Sequence, residues 1–558
     1  MKKILVFVTL LIFMGLLGCS LSTTKETTTL PNSSSSTISD ELTSTNSTNL
    51  DTTTTYINQD TTTDITTEVT VPTTITTATT SVIETTTTVT YDRFQDIYLY
   101  SINDFHGGAY LNIDAFANIN AEIKYMKNNY DHVIAVTNGD MLQGTAISNY
   151  YYGKPLIEAM NIGGWDGFTI GNHEFDWGIE KIEEYKDGNQ ENGEADFPIL
   201  AANIVYTDTQ EPLDFTTPYF ISEVNGVKVG VIGVIGNVME SIAASRVENI
   251  TFLDPIDVIE DYAYHLRTME AVDIIAVYLH YGSGMEYGSF GTNYNLAQLS
   301  GNSRVDIVFN GHTHQTESGV IERPGSDLYY AQTSANQYSL MSRMLINYDS
   351  LTKEIQSVTI KTHNLSSLSN YDNETADMLQ VFSSETNYVS YVSQVLAYAE
   401  YDFDRYDLGQ WGASVIRDYV GIDIGAVNYG GFRVSMEKGN VTMGEMITIY
   451  PFDNVIKTSR MTGMQIRDFY LENPYDTVFD DSLSFDGYTV YINGSPIVLD
   501  QYYTVGAVDY IFDKSDFDFL LGEDITYTGQ FMRDLLVEDL MNSESPFNPY
   551  NGSSYPNN

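Results

Sequence analysis

Downstream of Tyr91 the chain alternates between short apolar runs and polar, glycine-rich turns. Ile97–Ile102, His132–Thr137, Pro198–Ile204, Val227–Ile235, Asp273–His280 and Asp306–Asn310 have the length and composition of buried strands. Between several of them, Asn118–Asn129 and Pro255–Met269 have the apolar spacing of amphipathic helices. Such alternation predicts an α/β sheet covered by helices, with ligands gathered in the loops at the carboxyl ends of the strands. Strand-like segments then crowd together at Leu328–Thr333, Ser339–Tyr348 and Ile355–His363, which predicts an antiparallel finish near residue 364. Residues 365–400 are polar and then amphipathic and form a connection to a second unit over 401–542. Residues 543–558, rich in Asn, Ser and Pro, are expected to fray.

Before Tyr91 the pattern is different. Lys2 and Lys3 precede an apolar run from Ile4 to Gly18, a charged head and apolar middle that fit a secretory signal over residues 1–18 and fall short of the ~20 residues of a membrane span. Cys19 follows at once and is the chain's single cysteine. That placement resembles a bacterial lipobox and implies lipidation of Cys19 and a membrane anchor at the extracellular face; the other reading is an ordinary signal peptide with an incidental cysteine. Residues 19–92 are a Thr/Ser tract, including Thr52–Thr55 and Thr85–Thr88, with too little apolar surface to offset ordering entropy. A disordered stalk is expected there.

The 558 residues carry 26 Lys+Arg against 75 Asp+Glu, a formal charge of −49. That excess makes the chain a poor candidate for binding a nucleic-acid polymer, which needs clustered cations, and no such partner is expected. One cysteine also excludes disulfide scaffolds and multi-cysteine zinc sites. The 8 histidines can be inspected singly.

Five of them sit in polar motifs directly after apolar runs: Asp104-Phe105-His106-Gly107-Gly108; Gly171-Asn172-His173-Glu174-Phe175-Asp176; His280; and Gly311-His312-Thr313-His314, with Asn138-Gly139-Asp140 completing the set. Singly, a strand-end Asp or His fits a turn or cap as well as a ligand. The ordered set resembles the calcineurin-like metallophosphoesterases, whose pattern is D-x-H, G-D, G-N-H-E, H and G-H-x-H. The resemblance implies a four-layer α/β/β/α sandwich over residues 93–364 and two divalent ions, Zn, Mn, Fe or Co. It assigns Asp104, His106, Asp140 and His314 to the first ion and Asp140, Asn172, His280 and His312 to the second, with Asp140 bridging. The mixed carboxylate, amide and imidazole set suits such metals better than a calcium cage. By the same resemblance His173 is the catalytic imidazole and Asp176 orients it; the alternative for Asp176 is the N-cap of a helix starting near Gly178. His132, His265 and His363 lie outside the motifs and are read as structural or surface residues.

The second unit carries Asn428-Tyr429-Gly430-Gly431-Phe432-Arg433 and Pro451-Phe452-Asp453-Asn454. These are similar to the N-x-G-G-x-R and P-F-G-N motifs of the bacterial 5′-nucleotidase family, which implies an α+β C-terminal substrate domain. Phe452 and Tyr510 would then stack on a base, with Asn172, Arg433, Asn454 and Asp516 as further substrate contacts. Three departures stand out: Asp453 replaces a glycine, Lys514-Ser515 replaces a glycine pair, and no family-type arginine is found around Arg405. Taken alone, Phe452 after a proline is an ordinary core residue. The resemblance implies a phosphohydrolase of nucleoside 5′-monophosphates and of di- or triphosphates. Alternatives are a 2′,3′-cyclic phosphodiesterase, a 3′-nucleotidase or a UDP-sugar hydrolase, and, from another class, a non-catalytic surface adhesin.

Overall fold

The apolar runs pair into two six-stranded sheets. The first has the spatial order Glu354–Asn364, Leu340–Asp349, Phe94–Ile102, His132–Asn138, Gly167–Thr169, Ile199–Leu200. It is parallel from Phe94–Ile102 outward and antiparallel where Leu340–Asp349 joins. The second runs Glu317–Ile321, Leu328–Gln332, Ile307–Asn310, Ile274–His280, Val227–Ile235, Tyr219–Val224, with a parallel centre and antiparallel edges. The computed structural model describes residues 67–75, 83–108, 113–285, 291–333, 340–364, 370–472, 477–487, 489–514 and 517–548, all within one compact unit, Asp64–Asn558.

Alternation along each strand builds the layers. Ile97, Leu99, Ile134 and Val136 of the first sheet meet Val229, Val231, Ile274, Tyr278 and Phe309 of the second, forming a core between the sheets. The opposite face of the first sheet, through Tyr98, Tyr100 and Ala135, packs on Phe116, Ile119, Leu156 and Met160 of helices Ile113–Asn129 and Lys154–Gly163. Ile232, Val234, Ile275 and Val277 pack on Ile259, Ala263 and Leu266 of helix Pro255–Thr268. That helix begins where its pattern implied, because Asp254 accepts hydrogen bonds from Ile256 N and Asp257 N and Pro255 opens the first turn. The result is the expected α/β/β/α sandwich.

Pro198–Ile204 does not form one strand. Ile199–Leu200 joins the first sheet and Ile204–Tyr206 pairs with Ile250–Phe252, because the buried Asn203 between them donates to Ile235 O and Leu253 O and breaks the run.

The second domain is a mixed five-stranded sheet, in the order Thr477–Phe479, Ile424–Asn428, Tyr502–Val508, Val455–Thr462, Glu523–Phe531. Helices Arg405–Val420 and Met532–Asn542 cover it through Trp411, Ile416, Leu535 and Leu536.

Three stretches differ from expectation. Thr67–Ile75 and Ile83–Tyr91, the end of the tract expected to be disordered, pair antiparallel from Thr67↔Tyr91 to Ile75↔Ile83. Their β-branched Thr, Val and Ile favour a strand even where apolar content is low. Residues 1–66 and 76–82, with the signal segment and Cys19, lie outside the described residues. The 365–400 connection contains docked helices: in Asn373–Ser383, Thr375 Oγ1 accepts from Asn120 Nδ2 at 2.7 Å and Leu379 is fully buried. Thr386–Val392 sets Tyr388 against Tyr150, and Val395–Ala399 pairs with Gly439–Thr442. At the start of the polar tail, Phe547 is buried against Phe403 and Trp411 and its N–H donates to Tyr398 O at 2.7 Å. One aromatic ring holds residues that composition alone assigned to a fraying end.

Candidate metal centre and substrate cleft

Every motif loop leaves the carboxyl end of a parallel strand. Asp104 and His106 follow Phe94–Ile102, Asp140 follows His132–Asn138, and Asn172 and His173 follow Gly167–Thr169. His280 ends its strand, and His312 and His314 follow Ile307–Asn310. Five of these residues hold a left-handed backbone: Asp104 (φ 52°), His106 (48°), Asp140 (54°), His312 (72°) and His314 (58°). Such conformations cost on the order of 1–3 kcal/mol each for a side-chain-bearing residue and persist only where the surroundings impose them.

The surroundings are hydrogen bonds between loops. Asp104 N donates to Gly139 O at 3.0 Å and His106 N to Asp140 O at 2.9 Å. The Glu174 carboxylate accepts from the N–H groups of Gly171 (2.7 Å), Met141 (2.8 Å), Asp140 (2.9 Å) and Leu142 (3.2 Å), tying two loops into one block. Close approach fixes two glycines: a Cβ on Gly139 would lie 2.4 Å from His280 Nδ1, and one on Gly171 2.4 Å from Asp140 Oδ1.

Within this block Asp104, His106, Asp140 and His314 converge, and Asp140, His280 and His312 form a second group sharing Asp140. Asn172 Oδ1 lies 2.8 Å from His312 Nδ1 and 3.1 Å from His280 Nε2. Two backbone carbonyls orient imidazoles: Asn138 O faces His280 Nδ1 at 2.8 Å and Gln143 O faces His106 Nδ1 at 3.2 Å. With Nδ1–H donating there, each Nε2 lone pair points into the centre, the usual outer support of a metal-ligating histidine. His106 Nε2 and His314 Nε2 then face each other at 3.2 Å, a contact that a cation between them would make favourable.

For three of the four imidazoles the electrostatics agree with this fit. Burial pulls His312 and His314 down to about 4, and burial with the neighbouring His173 holds His106 well below its ordinary value, so these rings are neutral as ligands must be. Burial pushes the Asp104 carboxyl up to about 7. Burial would lower His280 as well, but the facing Asp140 carboxylate outweighs it and lifts His280 to about 10. Carboxylates, imidazoles and an amide oxygen converging on one point are a donor set for a divalent transition ion, whose charge would favour the ionised Asp104 and the neutral His280.

His173 lies beside these groups. Its N–H donates to Asp140 Oδ1 at 2.8 Å and its Nδ1 is 2.7 Å from Asp176 Oδ2. Burial disfavours the imidazolium, yet Asp176 and Asp140 outweigh it and raise the pKa of His173. Asp176 sits inside the 3₁₀ turn His173–Trp177, while Gly178 precedes helix Ile179–Glu183, so the capping alternative for Asp176 does not hold.

A cavity of about 230 Å³ opens in front of Asp140, Asn172, His173, His312 and His314, and its other wall is Asn428, Arg433, Phe452, Asp453, Asn454 and Tyr510 of the second domain. The Phe452 ring stacks on His173 at 5.9 Å and 23°, with the Arg433 guanidinium 5.8 Å from its centroid. Asn454 accepts from Tyr450 OH and donates to Asp509 Oδ1, both at 3.0 Å, and Lys514 Nζ lies 3.6 Å from the Tyr510 ring centroid. Asp516 lies outside the described residues. Arg405 stacks on Tyr429 at 4.4 Å and donates to Phe432 O, supporting the Asn428–Arg433 loop from behind.

The domains are bonded across this seam. Pro451 O accepts from Asn149 Nδ2 at 2.7 Å and Gln143 Nε2 at 3.1 Å, and Arg246 Nη2 donates to Asp453 O at 2.6 Å. Asp453, which stands where the family motif has glycine, is ion-paired with Arg533. Sequence reasoning gave no part to Glu174, Gln143, Arg246 or Asp453. Glu174 lies within a recognised motif; Arg246 lies in none. His132 is buried with Nε2 3.2 Å from Ser222 Oγ, a structural setting.

Comparison with known proteins gives the same two halves in the same order. The calcineurin-like phosphoesterase family matches residues 98–316 and the 5′-nucleotidase C-terminal domain matches residues 386–484. Endonuclease YhcR of Bacillus subtilis is 27% identical over 387 residues, which cover 66% of this chain and 31% of the relative. Cell wall protein Lmo0130 of Listeria monocytogenes is 25% identical over 456 residues, covering 69% and 57%. This chain therefore spans well under two thirds of either relative. The crystal structure of a 5′-nucleotidase precursor from Thermus thermophilus superposes with a TM-score of 0.62 at 20% identity, covering 80% of this chain and 96% of that one. With both matches in agreement with the fold, the chain carries a calcineurin-like metallophosphoesterase domain followed by a 5′-nucleotidase C-terminal domain.

Proposed function

We propose that this protein hydrolyses phosphate esters of nucleosides, removing phosphate from nucleoside 5′-monophosphates. The observation that carries the reading is the shared cavity: candidate metal ligands and His173 form one wall, and Arg433, Phe452 and Tyr510 the other. Asp104, His106, Asp140 and His314 would hold one divalent ion and Asp140, Asn172, His280 and His312 a second. Such a pair supplies Lewis-acid activation of the attacking water and neutralises phosphoryl charge.

The chain's own groups do the rest. Asp176 accepts from His173 Nδ1–H and favours the imidazolium, whose Nε2–H is then available to a phosphoryl or leaving-group oxygen. Arg433 offers a fork of donors to phosphate. Phe452 and Tyr510 present faces to a base, worth ~1–3 kcal/mol per stacked base and tolerant of its identity. Lipidation of Cys19 and display at the extracellular face complete the proposal, supported by the position of Cys19 after the apolar run.

The test is phosphate release by purified protein supplied with Mn²⁺, Zn²⁺ or Co²⁺ from 5′-AMP, 3′-AMP, 2′,3′-cyclic AMP and UDP-glucose. The reading expects 5′-AMP to lead. A leading cyclic or 3′-substrate would move it within the family, and no release from any nucleotide would sink it.

A further inference from the structure

Phe452 is held at the domain seam through the carbonyls on either side of it. The one after it, Asp453 O, accepts from Arg246 Nη2 at 2.6 Å. The one before it, Pro451 O, accepts from Arg533 Nη1 of its own domain at 2.8 Å and from two amides of the sandwich, Asn149 Nδ2 at 2.7 Å and Gln143 Nε2 at 3.1 Å. Both amides are buried, where a donor left unpaired is costly, so burial enforces these contacts.

The segment Gln143–Asn149 is continuous with the metal block. Gln143 directly follows Asp140, Met141 and Leu142, whose N–H groups donate to the Glu174 carboxylate, and its own carbonyl faces His106 Nδ1. A Cβ on Gly144 would lie 2.7 Å from His106 O. Gly144 N donates to Asn149 Oδ1 at 3.2 Å, which turns Asn149 Nδ2 toward Pro451. Gln143 therefore orients a candidate metal ligand with its backbone and grips the Phe452 loop with its side chain. It is not among the described residues that line the cavity, so its effect on a ligand there passes through Pro451 to Phe452, whose ring covers His173.

We infer that Gln143, with Asn149, is a positioning residue that fixes the spacing between the Phe452 face and the metal groups, and so places the base of a substrate relative to its phosphoryl group. The inference rests on the function proposed above. It gives one side chain of the metal wall a part in substrate selection on the other.

The experiment compares wild type, Q143M, F452A and the double variant in kcat/KM for 5′-AMP and for ribose 5-phosphate, which keeps the sugar phosphate and lacks the base. The same four proteins, without nucleotide, are treated with diethyl pyrocarbonate, and modification of His173 is followed by peptide mass spectrometry. Methionine keeps the length of glutamine and removes the donor. Positioning predicts that Q143M loses roughly 3–10-fold on AMP, carried by KM, the worth of one hydrogen bond, with ribose 5-phosphate unchanged. F452A removes the ring being positioned, so Q143M should cost nothing further in that background. Equal losses on the two substrates, or additive losses in the double variant, overturn the inference and leave Gln143 as a support of the metal block alone. His173 should be modified faster in Q143M than in wild type, because the ring over it is no longer held. That result supports the positioning even in protein that hydrolyses no nucleotide, which would remove the nucleotidase reading alone, and modification at the wild-type rate overturns the positioning.

Discussion

On one wall of the cavity Asp104, Asp140, Asn172 and His280 are at most 1% exposed, and the backbones of five candidate ligands are forced into left-handed conformations by hydrogen bonds between loops. On the other, Arg433 is exposed, Phe452, Asp453, Asn454 and Tyr510 are half-buried, and position depends on a few bonds across a domain seam. The first wall is pre-set by the sandwich beneath it. The second is set by how the domains meet. Chemistry that needs donors fixed to a fraction of an ångström belongs on the first, and selection among substrates, which tolerates adjustment, belongs on the second.

The sharpest way to break this contrast is Asp140→Ala, since both candidate ion groups share that carboxylate. Bound metal measured by elemental analysis should fall for the whole site, and phosphate release should drop by roughly 10³-fold or more. Loss of half the metal with activity retained would show that the wall is not one unit. Phe452→Ala probes the other side. Losing one stacking face should cost about 1–3 kcal/mol, roughly 5–150-fold in kcat/KM and mainly in KM, with metal content unchanged. A fall in metal content would show that the walls are not independent.

A smaller effect is expected far from both, at the start of strand His132–Asn138. Burial pulls His132 from an ordinary value near 6.5 down to about 4. Between those values the unfolded chain takes up a proton that the folded chain refuses, so stability falls as pH falls from about 6.5 to about 4. The contribution is on the order of 3 kcal/mol at most. Denaturant titrations of His132→Asn should show a shallower loss over that window than wild type; an equal slope would contradict the assignment.

The two walls also differ in how far they could be read from sequence. Asp104–His106, Asn138–Asp140, Asn172–Asp176 and Gly311–His314 are contiguous motifs at the carboxyl ends of strands in two facing sheets, and their order, through the family resemblance, marked them as one set. The longer buried strands were legible from their apolar runs and the four layers from the resemblance; the apolar pattern failed at Asn203, where one buried amide splits a run, and at the short or half-exposed strands Gly167–Thr169, Tyr219–Val224 and Glu317–Ile321. Arg246 was not legible. Its role depends on a carbonyl 207 residues away that only domain docking brings near. Phe547 shows the same limit, since a polar segment is docked by a single ring in a pocket built from distant residues.

The most direct measurement is phosphate release from 5′-AMP by metal-loaded protein before and after chelation, with bound metal determined on the same samples. The account predicts release that stops when the metal is removed and returns when Mn²⁺, Zn²⁺ or Co²⁺ is restored. Release that persists in metal-free protein, or fully loaded protein that releases no phosphate from any nucleotide, would contradict it.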